Sequence, residues 1–226
     1  MSPGRVEAFS DGVIAIAITL LSLEIRLPED RDLLSGLVSL WPSYVGFVLS
    51  FLLIGQVWLN HHAIFQRIRY IDQWVLVCNL LLLLDVAFLP FATTVLTRAL
   101  EDGGDARVGA VFYGLVMVVG GLFFNGLWQA AIRDRRCLRP EVPDAVVRAM
   151  TRRFAAGPVL YALAAAASAV SASATTRSGS GSRPRPESAP VRRPESGSMT
   201  LSPRRRSVTT FSRVAGLAHI WVCMAG

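Results

Sequence analysis

The sequence contains no lysine and few side chains that carry chemistry. All 23 basic residues are arginines, and the three cysteines, Cys78, Cys137 and Cys223, include no CxxC pair. This pattern supports neither a disulfide framework nor a zinc site. The chain also lacks a nucleophile elbow, a phosphate-binding loop, a dinucleotide fingerprint and an HExxH motif. We therefore predict that the protein is not an enzyme and uses no cofactor and no metal.

Charge is scarce as well, and long apolar segments take its place. Charged residues make up 17% of the 226 residues, 52% are hydrophobic and the mean hydropathy is +0.44. This is too apolar for an ordinary soluble domain and favours a polytopic membrane protein. Acidic residues precede the first apolar run, which has no small-residue cleavage signature, so we expect this run to be retained.

Five apolar segments predict an all-α, polytopic membrane helical bundle. They cover residues 12–23, 41–59, 74–97, 108–132 and 155–171, and the fifth is rich in alanine and only weakly hydrophobic. The third is long enough to span roughly 30 Å of hydrocarbon. Charged loops at 28–35 and 101–105 and an arginine-rich connection at 133–153 are predicted between them.

The arginines divide unevenly between the two ends of this bundle. If the N-terminus is cytoplasmic, the inside segments up to residue 153 hold ten arginines and the outside loops hold four. The positive-inside rule then predicts a multi-pass protein of the cell membrane with its N-terminus in the cytoplasm. The 133–153 connection can bind anionic lipid headgroups, although topology alone also explains its charge. The short basic run at 204–207 is poor evidence for nucleic acid, which we do not expect as a partner.

The composition changes abruptly near residue 172. We predict a transmembrane channel domain over 1–172 and a low-complexity Arg/Pro/Ser/Gly tail over 173–226. The tail has too few apolar residues for burial to offset the conformational entropy lost on ordering. After five spans this tail would lie outside, yet it adds nine arginines. Three explanations stay open: a disordered basic tail, a fifth segment that does not cross, and translation from a shifted reading frame, which we favour.

The start of the first helix resembles a known motif. Residues 5–12 read RVEAFSDG and are followed by Ala15, Ile16 and Thr19. This is similar to the R-x-x-x-F-S-D-G signature of the transmembrane protein 175 family, the endolysosomal potassium channels and their prokaryotic homologues. The resemblance covers residues 4–171. A downstream pattern similar to the family's second helix consists of Trp58, His61, His62 and Phe65.

The resemblance implies a potassium-selective channel with six helices per repeat, whose prokaryotic members form tetramers with the first helix lining the pore. It places the selectivity bottleneck at Ile16, with Thr19 contributing. The spacing of Ile16, Leu20 and Leu23 at i, i+4 and i+7 puts them on one helix face. Four copies around an axis would form an apolar constriction, which can gate by dewetting. On periodicity alone, core packing would be the more common role.

We expect polar residues at the cytoplasmic end to hold the first helix in register. Arg5 and Asp11 lie nearly two turns apart, so each should bond another helix rather than the other. Asn79 is the weaker candidate because it lies deeper, and an interfacial, solvated position is the alternative for the histidines. The predicted signature and network residues are Arg5, Phe9, Ser10, Asp11, Gly12, Trp58, His61, His62 and Asn79.

Three functions therefore compete. The first is the pore-forming subunit of a K⁺ channel, a homo-oligomer of four chains in membrane lipid that conducts K⁺ passively. The second is a non-conducting helical membrane protein, such as an accessory factor or a decayed channel homologue without its sixth helix. The third is a membrane enzyme using His61, His62 and Asp85, which no sequence motif supports.

Overall fold

The computed structural model describes residues 2–29, 32–101 and 106–178, and its regular structure is helical. A short 3-10 turn, Arg133–Arg135, follows the fifth helix, and one isolated β-bridge occurs between loops. The prediction of an all-α membrane bundle is confirmed. The helices in the described residues are α1 Pro3–Leu23, α2 Leu33–Ser39, α3 Trp41–Phe65, α4 Gln73–Glu101, α5 Ala106–Ile132 and α6 Asp144–Ser178.

Four described helices, α1, α3, α4 and α5, are long and apolar enough to cross a membrane. The fifth predicted span, residues 155–171, lies inside α6, which is not among these four. The count of five spans is thus approximate, because alanine-rich segments contribute little hydropathy per residue. The backbone of α6 continues past the predicted boundary at 172 to Ser178. Residues 179–226, most of the predicted tail, lie outside the described residues.

Two segments predicted as connections are partly helical. Within and beyond the charged loop 28–35, residues 33–39 form α2, whose N-cap Asp32 accepts a hydrogen bond from the backbone N–H of Ser35 at 3.1 Å. An aspartate before an apolar run is an N-cap signal, but the charged residues around it are typical of a loop. The arginine-rich connection likewise ends early, because α6 already begins at Asp144. Alanine and arginine, which recur there, both favour helices.

The polar residues expected in the turns before the first apolar helix belong to that helix. α1 begins at Pro3, in the first helical turn, where proline is well tolerated because its missing N–H has no intrahelical partner. Residues 5–11 therefore form its first turns. Their side chains point at fixed angles relative to the apolar residues that follow.

α4 lies at the centre of the bundle. It packs against α1, α3 and α5, while α5 also packs against α6 and α1 against α3. Two glycines on α5 allow close approach. A Cβ at Gly120 would lie 2.1 Å from Oδ2 of Asp85 on α4, and one at Gly121 would lie 2.9 Å from Cγ of Pro158 on α6. Small residues thus let both neighbours seat closely on α5.

The loops at the two ends of the bundle are also joined. At the end where α1 begins, the α3–α4 and α5–α6 loops meet in an antiparallel bridge between Ile68 and Leu138, both buried. At the other end, the hydroxyl of Thr94 on α4 donates to Oε2 of Glu24, just after α1, at 2.8 Å. α1 is therefore held to α4 at the end where it finishes.

Candidate functional site

α1 has one buried face and one open face. The buried residues recur three or four positions apart and turn toward α3 and α4, and the exposed residues lie on the opposite side. Such alternating spacing is typical of a helix face that packs against other helices. The buried set is Val6, Ser10, Ile14, Ala17 and Leu21. The open face carries Arg5, Phe9, Gly12, Ile16, Thr19, Leu20 and Leu23.

The apolar part of the open face is well exposed in a single chain. Ile16, Leu20 and Leu23 expose 60%, 40% and 67% of their surface. Between them, the hydroxyl of Thr19 donates to the carbonyl oxygen of Ile16 at 2.8 Å. The hydroxyl proton is thereby donated to the backbone, and both lone pairs of the oxygen remain available as acceptors. This part of the open face is thus an apolar stripe that includes the hydroxyl oxygen of Thr19.

Behind this face, a buried polar cluster connects three helices. Oδ1 of Asn79 on α4 lies 2.8 Å from Nε2 of His61 on α3, and its Nδ2 donates to Oγ of Ser10 on α1 at 3.0 Å. Ser10 in turn donates to the carbonyl of Val6 at 2.9 Å. Ser10, His61 and Asn79 are all fully buried. Asn79, expected to be the weaker member because of its depth, is the residue that bonds both others.

A second set of contacts lies at the rim of the bundle. The indole N–H of Trp58 donates to Oδ1 of Asp11 at 2.9 Å, and Nδ1 of His62 lies 2.8 Å from Oε1 of Glu7. The rings of Trp58 and His62 stack with centroids 6.0 Å apart. These contacts attach the first turns of α1 to the last turns of α3.

The two adjacent histidines face different surroundings. Neighbouring residues on a helix project about 100° apart, so His61 points inward to Asn79 while His62 lies at the rim. Nδ1 of His61 is buried and has no hydrogen-bond partner in the described part of the chain. Asp85, the third residue of the enzyme hypothesis, lies against Gly120 of α5 instead. Across the described ranges, no group of three His, Cys, Asp or Glu residues could hold a metal ion.

Three signature residues do not join the polar cluster. Arg5, Phe9 and Gly12 are exposed on the open face of α1. Within the described residues, the side chain of Arg5 makes no hydrogen bond or ion pair, and no atom lies within 4 Å of a Cβ built on Gly12. The structure therefore divides the signature into an inward set and an outward set.

Sequence reasoning left other polar contacts unassigned. Glu7 stands three and four residues before Ser10 and Asp11, so the helical spacing alone could have placed all three on one side. The hydroxyl of Ser50 on α3 lies 2.7 Å from that of Thr93 on α4 and 3.0 Å from that of Tyr113 on α5. No local sequence pattern predicts this second cluster, because its members are far apart in the chain.

Asn125 on α5 contacts α6 where Pro158 interrupts the hydrogen-bond ladder of that helix. Proline has no N–H, so the carbonyl of Phe154, four residues earlier, loses its helical donor. Nδ2 of Asn125 donates to this carbonyl at 2.8 Å and to that of Gly121 at 2.9 Å. The side chain of Asn125 therefore holds α6 to α5 at the proline.

The residues of this site lie in the part of the chain that matches a known protein family. The family model described as endosomal/lysosomal potassium channel TMEM175 matches residues 5–90, which contain most of α1, all of α3 and Asn79. A potassium channel of Streptomyces collinus is 43% identical over 163 residues, covering 71% of this chain and 79% of that protein. The chain belongs to the TMEM175 family. The family resemblance in the RVEAFSDG motif is thus confirmed.

Solved and mammalian TMEM175 proteins are similar as well. The crystal structure of a lysosomal potassium-selective channel TMEM175 homolog from Chamaesiphon minutus shares 33% identity and a TM-score of 0.74, covering 99% of this chain and 98% of that one. The mouse endosomal/lysosomal proton channel TMEM175 is 37% identical over 158 residues, which are 63% of this chain and 31% of that protein. The family is one of multi-pass membrane channels, which is not an enzyme class.

Proposed function

We propose that this TMEM175-family chain is the pore-forming subunit of a potassium-selective channel. Four copies would place α1 around a common axis, and K⁺ would move passively along its gradient. The observation that carries the proposal is the open face of α1, where Ile16, Leu20 and Leu23 are exposed while the opposite face is buried against α3 and α4. Relatives named as potassium channels support K⁺ as the permeant ion.

The chemistry of this face suits a narrow pore. Rings of isoleucine and leucine offer nothing to replace the hydration shell of an ion, so the constriction favours dewetting. The oxygen of Thr19 is about one helical turn from Ile16 and can replace part of the hydration shell of the ion, because its own proton is donated to the carbonyl of Ile16. A cation that releases water easily, such as K⁺, would then pass more readily than Na⁺.

The polar cluster behind α1 would fix the rotation of the pore helix. Successive residues on a helix project about 100° apart. A rotation of α1 by a fraction of that angle would therefore turn the side chain of Ile16 away from the axis. Ser10 is bonded to Asn79 on the buried face, and Asp11 to Trp58 at the rim. We therefore assign Ser10, Asp11, Trp58, His61, His62 and Asn79 a positioning role rather than contact with the ion.

Reconstituted flux tests the proposal directly. The purified chain in vesicles should carry K⁺, and Ile16→Asn should lower the preference for K⁺ over Na⁺, because a polar side chain would hydrate the constriction. Leu84→Asn is the matched control, since Leu84 on α4 is 66% exposed but lies outside α1. An Ile16→Asn channel with the wild-type K⁺/Na⁺ ratio would remove Ile16 from the pore. Absence of flux from a folded tetramer, with its mass checked by native mass spectrometry, would favour the non-conducting alternative.

We further propose that the chain lies in the cell membrane with its N-terminus in the cytoplasm. The structure groups the start of α1 with the Ile68–Leu138 bridge and its arginine-bearing loops at one end, which the positive-inside rule assigns to the cytoplasm. Single cysteines replacing Arg69 or Arg26, in a background without native cysteines, should label from opposite sides. Labelling of both from the same side would contradict this topology.

For the tail after residue 172, we propose translation from a shifted reading frame. The support is compositional, since arginine, proline, serine and glycine abruptly replace apolar residues and the added arginines violate the charge rule. Sequencing the gene from a fresh isolate decides the question. An intact frame that encodes the same tail would refute the proposal.

A further inference from the structure

The α3–α4 and α5–α6 loops form a corner rich in arginine that the sequence alone does not assemble. Beside the Ile68–Leu138 bridge, the N–H of Arg69 donates to the carbonyl of Cys137 at 2.8 Å, and the N–H of Arg139 donates to the carbonyl of Arg67 at 2.9 Å. Arg67 and Arg139, 72 positions apart in the chain, therefore stand directly opposite each other. We call Arg67, Arg69, Arg136 and Arg139 the arginine corner.

The arginine corner is electrostatically unbalanced. Like charges at directly opposed positions of an antiparallel pair are destabilising. Among the side chains that the structure describes, no carboxylate forms an ion pair with any of the four arginines. The described neighbouring acids contact other groups or solvent rather than these arginines: Asp72 accepts from the N–H of Val75 at 2.8 Å, Asp144 pairs with Arg135, and Glu141 is exposed.

Exposed aromatic residues lie beside this corner. The guanidinium of Arg69 lies 5.9 Å from the ring centroid of Tyr70, and Tyr70 is 38% exposed. Trp74, in the first turn of the membrane-spanning helix α4, is 62% exposed. Tyrosine and tryptophan concentrate at the membrane–water interface. Guanidinium groups beside them would lie against headgroups rather than far out in the aqueous phase.

We propose that the arginine corner binds the phosphodiester headgroup of an anionic phospholipid. The guanidinium fork matches phosphate oxygens in bidentate geometry, and an anion between the opposed Arg67 and Arg139 would relieve their repulsion. Because the bridge joins the loop before α4 to the loop before α6, a bound lipid would also brace these helices together. The proposal rests on the membrane setting and orientation proposed above, but it does not depend on conduction.

Lipid retention by the purified full-length chain tests the site. Native mass spectrometry after addition of phosphatidylglycerol or phosphatidylcholine should show preferential retention of phosphatidylglycerol. Replacing both Arg67 and Arg139 with glutamine should lower that retention about 30-fold, since each arginine at an anionic surface contributes roughly fivefold. The matched control replaces Arg98 and Arg107, two exposed arginines at the opposite end of the bundle, and should retain lipid like the wild type.

Two further variants separate headgroup binding from folding. Arg67 is half-buried and donates to the carbonyl of Ala63, so the single exposed change Arg139→Gln is measured as well. It should cost about fivefold, and Arg139→Lys, which keeps the charge but loses the bidentate fork, should restore only part of the retention. Equal retention in Arg139→Gln and Arg98→Gln, or equal retention of phosphatidylcholine, would overturn the proposal. Displacement of the lipid by millimolar inorganic phosphate would instead identify a site for free anions and would also overturn it.

Discussion

Replacing Asn79 with leucine should loosen the first helix more than any other single change in the buried cluster. The asparagine joins His61 at 2.8 Å and Ser10 at 3.0 Å, and all three side chains are fully buried. Leucine has the same number of side-chain heavy atoms as asparagine in the same branched arrangement, so the substitution removes two hydrogen bonds without opening a cavity. Ser10 keeps its bond to the carbonyl of Val6. His61 would keep no hydrogen bond of its ring among the described residues, because its Nδ1 already has none.

The expected loss follows from these two bonds. Interhelical hydrogen bonds in membrane proteins contribute about 0.6 kcal/mol on average and about 1.7 at most. A buried polar group left without a partner costs about 1–3 kcal/mol. We therefore expect Asn79→Leu to lower the free energy of unfolding by about 2 kcal/mol, which for a chain of this size corresponds to a Tm lower by about 4–8 °C.

A double-mutant cycle makes the reasoning specific. His61→Phe removes the ring that Asn79→Leu leaves unsatisfied, and phenylalanine can keep the stacking that His61 makes with Phe65, whose centroid lies 4.3 Å away. The pair His61→Phe and Asn79→Leu should therefore unfold at a higher temperature than Asn79→Leu alone. Thermal unfolding of the detergent-solubilised chain measures each Tm, and reconstituted K⁺ flux measures the effect on the pore.

The control is Ser50→Ala, which breaks the separate Ser50–Thr93–Tyr113 cluster. That cluster joins α3, α4 and α5 without touching α1, so its loss should lower the Tm but leave the K⁺/Na⁺ ratio unchanged. An Asn79→Leu chain that unfolds at the wild-type temperature would refute the assigned role. A double mutant no more stable than Asn79→Leu would refute the argument about the unsatisfied histidine.

The remaining predictions concern helix packing and the open face of α1. Gly120→Ala should lower the Tm because its Cβ would lie 2.1 Å from Oδ2 of Asp85, and adding Asp85→Ala should restore much of the loss; no rescue would contradict the clash. Asn125→Leu should lower the free energy of unfolding by about 1–2 kcal/mol, because the carbonyl of Phe154 loses its donor; an unchanged Tm would show that another group satisfies this carbonyl. Thr19→Val should reduce K⁺ conductance in single-channel recordings, and an undiminished conductance would take its oxygen out of the ion path.

Hydropathy and spacing predicted most of the fold. The four spans α1, α3, α4 and α5 follow from apolar length, since a membrane accepts little else. The errors lie where hydropathy is weak: α2 begins at a capping aspartate, and α6 begins inside an arginine-rich segment. In both places local helix signals compete with a charge pattern that is typical of loops.

The candidate site was predictable in part. The face of Ile16, Leu20 and Leu23 depends only on the helical repeat, and the structure places all three on the exposed side of α1. The partners of Ser10 and Asp11 depend on residues 69 and 47 positions away. No local pattern fixes such partners, because they are set by the angles at which α3 and α4 cross α1.

The sequence by itself thus determined a helical membrane protein of the TMEM175 family and one apolar face on its first helix. Only the tertiary structure decided how the RVEAFSDG signature divides, with Ser10 and Asp11 bonded to neighbouring helices and Arg5, Phe9 and Gly12 left on the open face. The physical reason is that helical periodicity fixes which side chains share a face. Which face is buried depends on the neighbours that supply its hydrogen bonds.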